Sequence, residues 1–247
     1  MKKLSIMYHD VVENGQYAAS GFPGEGADIY KVERKEFARQ LEAIRAAGGG
    51  EALLTFDDGG VSAYEPVAGL LEQYGWRGYF FVTTDWIGRP GFLNTEQIRE
   101  LDERGHVIGS HSCSHPTRMA REPWERLVAE WKASTERLAE IVGHRVRVAS
   151  VPGGYYSRQV AEAAAEAGIE TLFTSEPTAA VHTVNGCRVL GRYVMMQGME
   201  PEWAAGFATG KIAPRLRQAL LWKAKRAAKA IGGEAYLRLR EAILRRA

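Results

Sequence analysis

Cysteine is scarce in this 247-residue chain, which contains only Cys113 and Cys187. Two cysteines are too few for the disulfide framework of a small secreted domain, so we expect a reducing compartment. No segment approaches the roughly 18 consecutive apolar residues of a membrane span. His9 and Asp10 interrupt the first apolar stretch too early for the core of a signal peptide. These absences predict a cytoplasmic protein.

Charge is unevenly distributed along the chain. Residues 211–247 contain 11 basic and 2 acidic residues, whereas residues 1–210 contain 21 basic and 28 acidic ones. Apolar residues recur at helical spacing from Ile212 to Ile231, and a second helix is predicted after Gly233. Two interpretations of this basic tail stay open. It either lies on an anionic membrane surface or packs on the main domain with a solvated basic face. A nucleic-acid partner is not expected, because no aromatic stacking platform accompanies the charge.

Short apolar segments alternate with helical patterns through the first 200 residues. Strands are predicted near residues 3–8, 51–56, 77–83, 106–111, 146–151, 169–175 and 187–195. Helices are predicted near residues 33–50, 63–75, 94–105, 122–143 and 157–168. This alternation predicts parallel strands with helices outside them, in an α/β barrel or a doubly wound sheet. The predicted domains are residues 1–208 and a helical tail at 209–247. Functional residues should gather where the strands end.

Two such strand ends carry candidate metal ligands. In "LLTFDDGG", Asp57 and Asp58 follow a strand directly, and adjacent carboxylates repel each other unless a cation lies nearby. In "GSHSCSHP", His111 and His115 are four residues apart after another strand, so both can reach one ion. Two histidines and one carboxylate leave a coordination position open, as in catalytic sites. Cys113 lies between the histidines, but we do not expect it to be a ligand.

These segments resemble a known family. "TFDDG" and "HSCSHP" are similar to the first two motifs of the polysaccharide deacetylases, the NodB-homology family of carbohydrate esterases, and the resemblance covers about residues 4–195. It implies a distorted (β/α) barrel of the NodB-homology type, to which the chain adds its basic helical extension. It also implies hydrolysis of an N-acetyl amide on an amino sugar. By position, Asp57 matches the catalytic base. The positions that match the ligands of one divalent ion, with zinc expected, are Asp58, His111 and His115.

The third family motif is altered here. The family has Arg-x-Pro-x-Gly, and this chain has "SVPGG" beginning at Ser150. We expect Ser150 to hydrogen-bond Asp57 and to belong to the substrate-binding residues, while Arg192 supplies the missing positive charge. The resemblance assigns the backbone N–H that stabilises the oxyanion to Gly153. Tyr155 is expected either to line the sugar site or to pack at its rim.

The last family motif, Leu-x-His, is missing. Its histidine protonates the leaving amine, but no histidine follows His182 in this chain. His9, at the end of the first predicted strand, is a candidate for this general acid. The alternative is that His9 makes a structural hydrogen bond at the barrel mouth. His106 and His144 are expected on the surface.

Three functions remain open from the sequence. The favoured one is a cytoplasmic metal-dependent de-N-acetylase acting on a glycoconjugate or polysaccharide precursor, for which a lipid-linked substrate would explain the basic tail. A second is another amide hydrolase on the same fold, such as a deformylase. A third is a non-catalytic carbohydrate-binding relative, which the missing arginine and histidine favour. The retained Asp57 opposes this third hypothesis, because a binding module needs no base.

Overall fold

A computed structural model describes residues 4–224. Its strands are β1 (Ser5–Tyr8), β2 (Val11–Val12), β3 (Val32–Glu33), β4 (Leu53–Phe56), β5 (Gly78–Val82), β6 (Val107–Ser110), β7 (Val148–Ser150), β8 (Thr171–Phe173), β9 (Val181–Val184), β10 (Cys187–Leu190) and β11 (Tyr193–Val194). Its helices are α1 (Glu25–Asp28), α2 (Arg34–Ala46), α3 (Gly69–Glu72), α4 (Thr95–Glu103), α5 (Trp124–Val142), α6 (Arg158–Glu166), α7 (Pro201–Ala208) and α8 at 212–224. Among these residues, no helix has the length and apolar content needed to span a membrane.

Nine strands form one sheet in the order β11-β1-β4-β5-β6-β7-β8-β10-β9. All neighbours are parallel except β9, which pairs antiparallel with β10. A separate parallel pair joins β2 to β3. Parallel strands with intervening helices curl into a partial barrel, which confirms the predicted fold.

Both faces of the sheet are buried, because successive side chains on a strand point to opposite faces. On the helical side, Phe56 and Phe80 pack with Phe37 and Leu41 of α2. On the other side, Phe81 packs against Phe173 at a ring-centroid distance of 5.3 Å. Burial on both faces explains why these strands appear in the sequence as continuous apolar runs.

The predicted helix at 63–75 is only partly formed. Its regular α-helical part is α3, which is four residues long, and Glu65 before it is extended, with φ −143° and ψ 128°. Pro66 is the physical reason, since proline disfavours helical geometry in the residue that precedes it. The helix prediction was therefore wrong for the first part of this segment.

The predicted strand at 187–195 is two strands. Gly191 and Arg192 separate β10 from β11, and these strands lie on different sides of the sheet order. A Cβ atom on Gly191 would lie 2.3 Å from the carbonyl oxygen of Glu176, so the chain can cross here only with glycine. The antiparallel strand β9 and the helix α7 were not predicted.

The histidines predicted at the surface differ from each other. His144 is exposed and its Nε2 lies 2.9 Å from Asp102 Oδ2. His106 is buried, which corrects the prediction. Its Nδ1 accepts a hydrogen bond from Gly78 N, and its Nε2 lies 3.1 Å from Glu72 Oε1. Burial is the largest influence on the pKa of His106 and holds it below the ordinary value, so the neutral ring can accept from Gly78.

The first predicted tail helix corresponds to α8, which packs along the β11 edge. The side chain of Gln218 accepts from Val194 N at 2.9 Å and donates to Val194 O at 2.8 Å, as a neighbouring strand would. Ile231 and the second predicted tail helix, after Gly233, lie outside the described residues. The division between domains at 208 and 209 stays a prediction.

We predict that Gly191→Ala destabilises the protein by about 1–3 kcal/mol, because the added methyl group must displace backbone carbonyl oxygens. Thermal unfolding should show a fall in Tm of several degrees. Gly26→Ala is the matched control, since nothing lies within 4 Å of its added Cβ. Equal Tm values for the two variants would contradict the tight crossing at Gly191.

Candidate active site and metal centre

Three candidate ligands converge at the ends of β4 and β6. His111 Nε2 and His115 Nε2 lie 3.2 Å and 3.4 Å from Asp58 Oδ1. One ligand atom from each residue lies within 4.8 Å of the other two. Asp58 and His115 adopt left-handed backbone conformations, with φ of 75° and 59°. Such conformations are uncommon for these residue types and concentrate at functional sites.

His111 is oriented by Ser150. His111 Nδ1 lies 2.5 Å from Ser150 Oγ and 3.1 Å from Ser150 O. The Ser150 hydroxyl in turn donates to Asp57 Oδ1 at 3.1 Å, so it receives its own hydrogen bond from His111 Nδ1–H. With its proton on Nδ1, the imidazole keeps a lone pair on Nε2 for a metal ion.

The electrostatics of the triad favour a cation. Burial opposes the charged form of Asp58, but hydrogen bonds from His111 and His115 hold its pKa well below the ordinary value. For His115, burial also opposes the charged form, yet the hydrogen bond and charge of Asp58 raise its pKa. A buried carboxylate facing two imidazoles thus provides a mixed N/O donor set that can hold a divalent ion.

The carboxylate of Asp57 is paired with Arg192 and lies outside the triad. Arg192 Nη1 and Nη2 donate to the two carboxylate oxygens of Asp57 at 2.6 Å and 2.7 Å. The Arg192 side chain is 0% exposed and that of Asp57 is 4% exposed. Arg192 also donates to Thr174 O and Thr55 Oγ1, both at 3.1 Å. The charge that the third motif lacks is thus supplied to Asp57 by Arg192, the alternative source considered from the sequence.

This ion pair keeps Asp57 ionised. Burial opposes the charge on Asp57, but the charges of Arg192 and His111 and the hydrogen bonds from Arg192 hold its pKa below the ordinary value. Oδ1 accepts from Arg192 and Ser150, whereas Oδ2 accepts from Arg192 alone among the hydrogen bonds seen within residues 4–224. A carboxylate oxygen has two lone pairs, so Oδ2 retains capacity to accept a proton.

The residues of the altered third motif have different positions. Ser150 is fully buried between Asp57 and His111, and its placement among the substrate-binding residues stays a prediction. Gly153 lies in the short turn Pro152–Gly154 after β7, where it is exposed with φ 63°. Tyr155 is half-buried beside this turn. The proposed roles of Gly153 and Tyr155 stay predictions.

His9 lies near both aspartates. Its positive form lowers the pKa of Asp57 and of Asp58, which places it within electrostatic reach of the site. Its ring centroid is 4.8 Å from that of Tyr30. Its Nδ1 is buried and makes no hydrogen bond to any described residue. A buried ring nitrogen without a partner is uncommon, and the role of His9 as general acid stays a prediction.

Sequence reasoning missed two buried carboxylates that fix the ligand loops. Glu130 of α5 accepts from Cys113 N at 2.9 Å and Ser114 N at 2.8 Å, between the two histidines. The thiol of Cys113 donates to Asp85 Oδ1 at 3.1 Å, away from the ligand set. A buried acidic residue on the apolar side of an amphipathic helix was the available signal for Glu130.

The second missed carboxylate is Asp10. Its Oδ1 accepts from Ser20 Oγ at 2.5 Å and from Ser62 Oγ at 2.9 Å. Gly60, two residues after Asp58, packs so closely that a Cβ there would lie 1.9 Å from Asp10 Oδ1. Asp10 therefore joins the end of β1 to the loop that presents Asp58. Its position next to His9 was the only local signal.

We predict that Arg192→Gln destabilises the fold by about 3–5 kcal/mol at neutral pH, because Asp57 is left charged and buried. Since the folded-state pKa of Asp57 is lowered, this contribution is complete above the unfolded pKa of about 3.9 and is lost as the pH falls through the folded-state pKa. The measurement is the free energy of unfolding in urea for Arg192→Gln, for Asp57→Asn and for the double variant Arg192→Gln/Asp57→Asn. The double variant should recover part of the loss, and an additive result would contradict a direct pair.

Comparison with known proteins supports the same family as the sequence motifs do. The Polysaccharide deacetylase family matches residues 44–172, more than half of the chain. The Bacillus subtilis protein YxkH is 29% identical over 147 residues, which are 60% of this chain and 52% of YxkH. The peptidoglycan-N-acetylmuramic acid deacetylase PdaA of B. subtilis is 29% identical over 49% of this chain and 45% of its own. The chain thus spans about half the length of these curated relatives.

Solved structures share the fold. The Streptococcus pyogenes deacetylase PplD, in complex with acetate, superposes with a TM-score of 0.66 at 21% identity, covering 82% of this chain and 96% of PplD. IcaB from Ammonifex degensii gives a TM-score of 0.65 at 23% identity, covering 84% and 96%. Such low identities establish the fold alone. With the family match over the segment that carries both ligand motifs, they lead to one conclusion: this chain belongs to the polysaccharide deacetylase family.

Proposed function

We propose that this protein is a metal-dependent hydrolase that removes an N-acetyl group from an amino sugar. The observation that carries the proposal is the position of Asp57, an ionised carboxylate held by Arg192 immediately beside the triad of Asp58, His111 and His115. A carbohydrate-binding module would need the triad but would have no use for a second, separately charge-balanced carboxylate at that point.

The residues present fit a divalent ion, and we propose zinc. Asp58 Oδ1 and the Nε2 atoms of His111 and His115 would hold it. Ser150 engages Nδ1 of His111, which leaves Nε2 available. A mixed nitrogen and oxygen set suits zinc. When bound, such an ion acidifies a water molecule and polarises the amide carbonyl.

The chain's own residues would then move the protons. Asp57 Oδ2 takes a proton from the water that attacks the amide carbon. The Gly153 N–H is proposed to donate to the oxygen that gains negative charge. When the C–N bond breaks, His9 is the proposed donor of a proton to the leaving nitrogen. The products are acetate and the amino group of the sugar, which takes up the second proton of the water as an ammonium group. The proton held by Asp57 restores His9 directly or through solvent.

The substrate that we propose is a glycoconjugate or polysaccharide precursor, in lipid-linked form. Two observations support this substrate: homologous deacetylases act on N-acetylated sugars, and the basic tail would bring the enzyme to an anionic surface. The proposed location is cytoplasmic and peripheral, at the inner face of the membrane.

We predict that Asp58→Ala, His111→Ala and His115→Ala each lose zinc, because each removes one of three protein ligands. Elemental analysis after dialysis should find about one zinc per wild-type chain and far less in each variant. His144→Ala is the matched control, since His144 is an exposed histidine paired with Asp102. Full zinc content in all three variants would exclude this triad as the metal site.

We predict that Asp57→Asn abolishes acetate release while zinc content stays near the wild-type value. The amide keeps the shape of the carboxylate but cannot accept the proton. The assay uses zinc-loaded protein and N-acetylated oligosaccharides and sugar–lipids, with acetate and formate measured separately.

The products and the metal content separate the remaining possibilities. Formate from N-formylated substrates, with no acetate, would support the deformylase hypothesis instead. Loss of zinc in Asp57→Asn would show that the two aspartates have exchanged roles. Wild-type rates in that variant would remove Asp57 from the reaction.

A further inference from the structure

The outward face of α8 is apolar. Ile212, Leu216 and Leu220 are 76%, 55% and 58% exposed. They follow one another at intervals of four residues, so they form one stripe along the helix. Large apolar side chains this exposed are otherwise seen in the described residues only at Leu221, on the same helix. A contiguous exposed apolar stripe marks an interaction surface.

The orientation of this stripe is fixed by the opposite face of α8. Gln218 makes two hydrogen bonds to the backbone of Val194, and Arg215 Nε donates to the hydroxyl of Tyr193 at 2.7 Å. The Arg215 guanidinium also lies over the Tyr193 ring, 5.5 Å from its centroid. Because these polar contacts attach α8 to the β11 edge, the helix cannot turn its leucines inward without breaking them.

The charge around the stripe indicates which kind of partner can bind there. Exposed Lys223 and Arg217 flank it, the Arg217 guanidinium lying over the Trp203 ring at 4.9 Å from its centroid. Residues 212–224 contain no acidic side chain. A second copy of this chain bound through the same stripe would place two such basic faces against each other. Residues 225–247, if they covered the stripe, would also place basic side chains against basic ones, because they contain seven basic and two acidic residues. Like charges facing each other are unfavourable, so the complementary partner is anionic.

The partner must also accept apolar side chains. A nucleic acid offers phosphate charge but little apolar surface for a stripe of isoleucine and leucine. An anionic lipid bilayer offers both, since apolar side chains enter the acyl boundary while basic side chains meet the headgroups.

We infer that the outward face of α8, defined by Ile212, Leu216, Leu220, Arg217 and Lys223, is a docking surface for an anionic lipid bilayer. The inference gives the membrane location proposed above a specific contact surface. It uses no residue of the active site, so it can succeed or fail separately from the proposed hydrolysis.

The test is co-sedimentation of the full chain with vesicles of phosphatidylglycerol and phosphatidylcholine in equal parts, against vesicles of phosphatidylcholine alone. The wild type should bind the anionic vesicles more strongly, and added salt should weaken that binding. Leu216→Ser/Leu220→Ser should weaken it by about tenfold, because two inserted side chains are lost. Its Tm should stay near the wild-type value, since both leucines are exposed.

A matched pair of charge variants completes the test. Arg217→Gln/Lys223→Gln should weaken binding to anionic vesicles several-fold. Arg77→Gln/Lys132→Gln removes the same charge from exposed positions outside α8 and should change binding little. Equal weakening by the two pairs would overturn the inference, since it would show a general charge effect.

Other outcomes would assign the face differently. Undiminished binding by the leucine variant would exclude the stripe. A leucine-dependent dimer in light scattering would assign it to a second copy. No wild-type binding, together with a lower Tm in the leucine variant, would assign it to residues 225–247. Leucine-dependent binding without acetate release would leave the docking surface standing and reject the proposed function.

Discussion

The buried pair of Asp57 and Arg192 is the interaction on which the site depends. β10 lies beside β8, whereas β11 lies beside β1 at the far edge of the sheet. Gly191 and Arg192 are the residues that cross between these two sides. The guanidinium therefore reaches Asp57 from the segment that spans the open side of the partial barrel. One ion pair links that crossing to the end of β4, so folding and the proposed chemistry rest on the same contact.

The adjacent carboxylates of Asp57 and Asp58 repel each other, and the fold relieves this repulsion by giving each aspartate its own partners. Asp57 receives a full positive charge and two hydrogen bonds from Arg192. Asp58 turns to the other side, through a left-handed backbone, and faces His111 and His115. Ser150 connects the two halves by bonding both Asp57 and His111. In this chain a small hydroxyl at that position links the base to a metal ligand, and the charge comes from elsewhere.

The sequence predicted the parts of the site that are encoded locally. The triad and the alternating fold follow from short motifs placed at strand ends, and the family match confirms the resemblance. Contacts between distant segments were harder to predict. Arg192 was expected to supply a charge because the third motif lacks its arginine, but the loop-fixing roles of Glu130 and Asp10 were missed. The full burial of Ser150 was not predicted, because burial cannot be read from a motif. The edge strand β9 was missed because its two central residues, His182 and Thr183, are both exposed, so its sequence lacks the alternation of a half-buried strand.

The most direct test of the account is chemical rescue of Arg192→Ala. The account holds that a guanidinium group must orient and charge-balance Asp57 before the carboxylate can take a proton. Acetate release by the zinc-loaded variant should be lost, and added guanidinium should restore part of it where an equal concentration of potassium does not. Acetate release at the wild-type rate by Arg192→Ala without any addition would contradict the account.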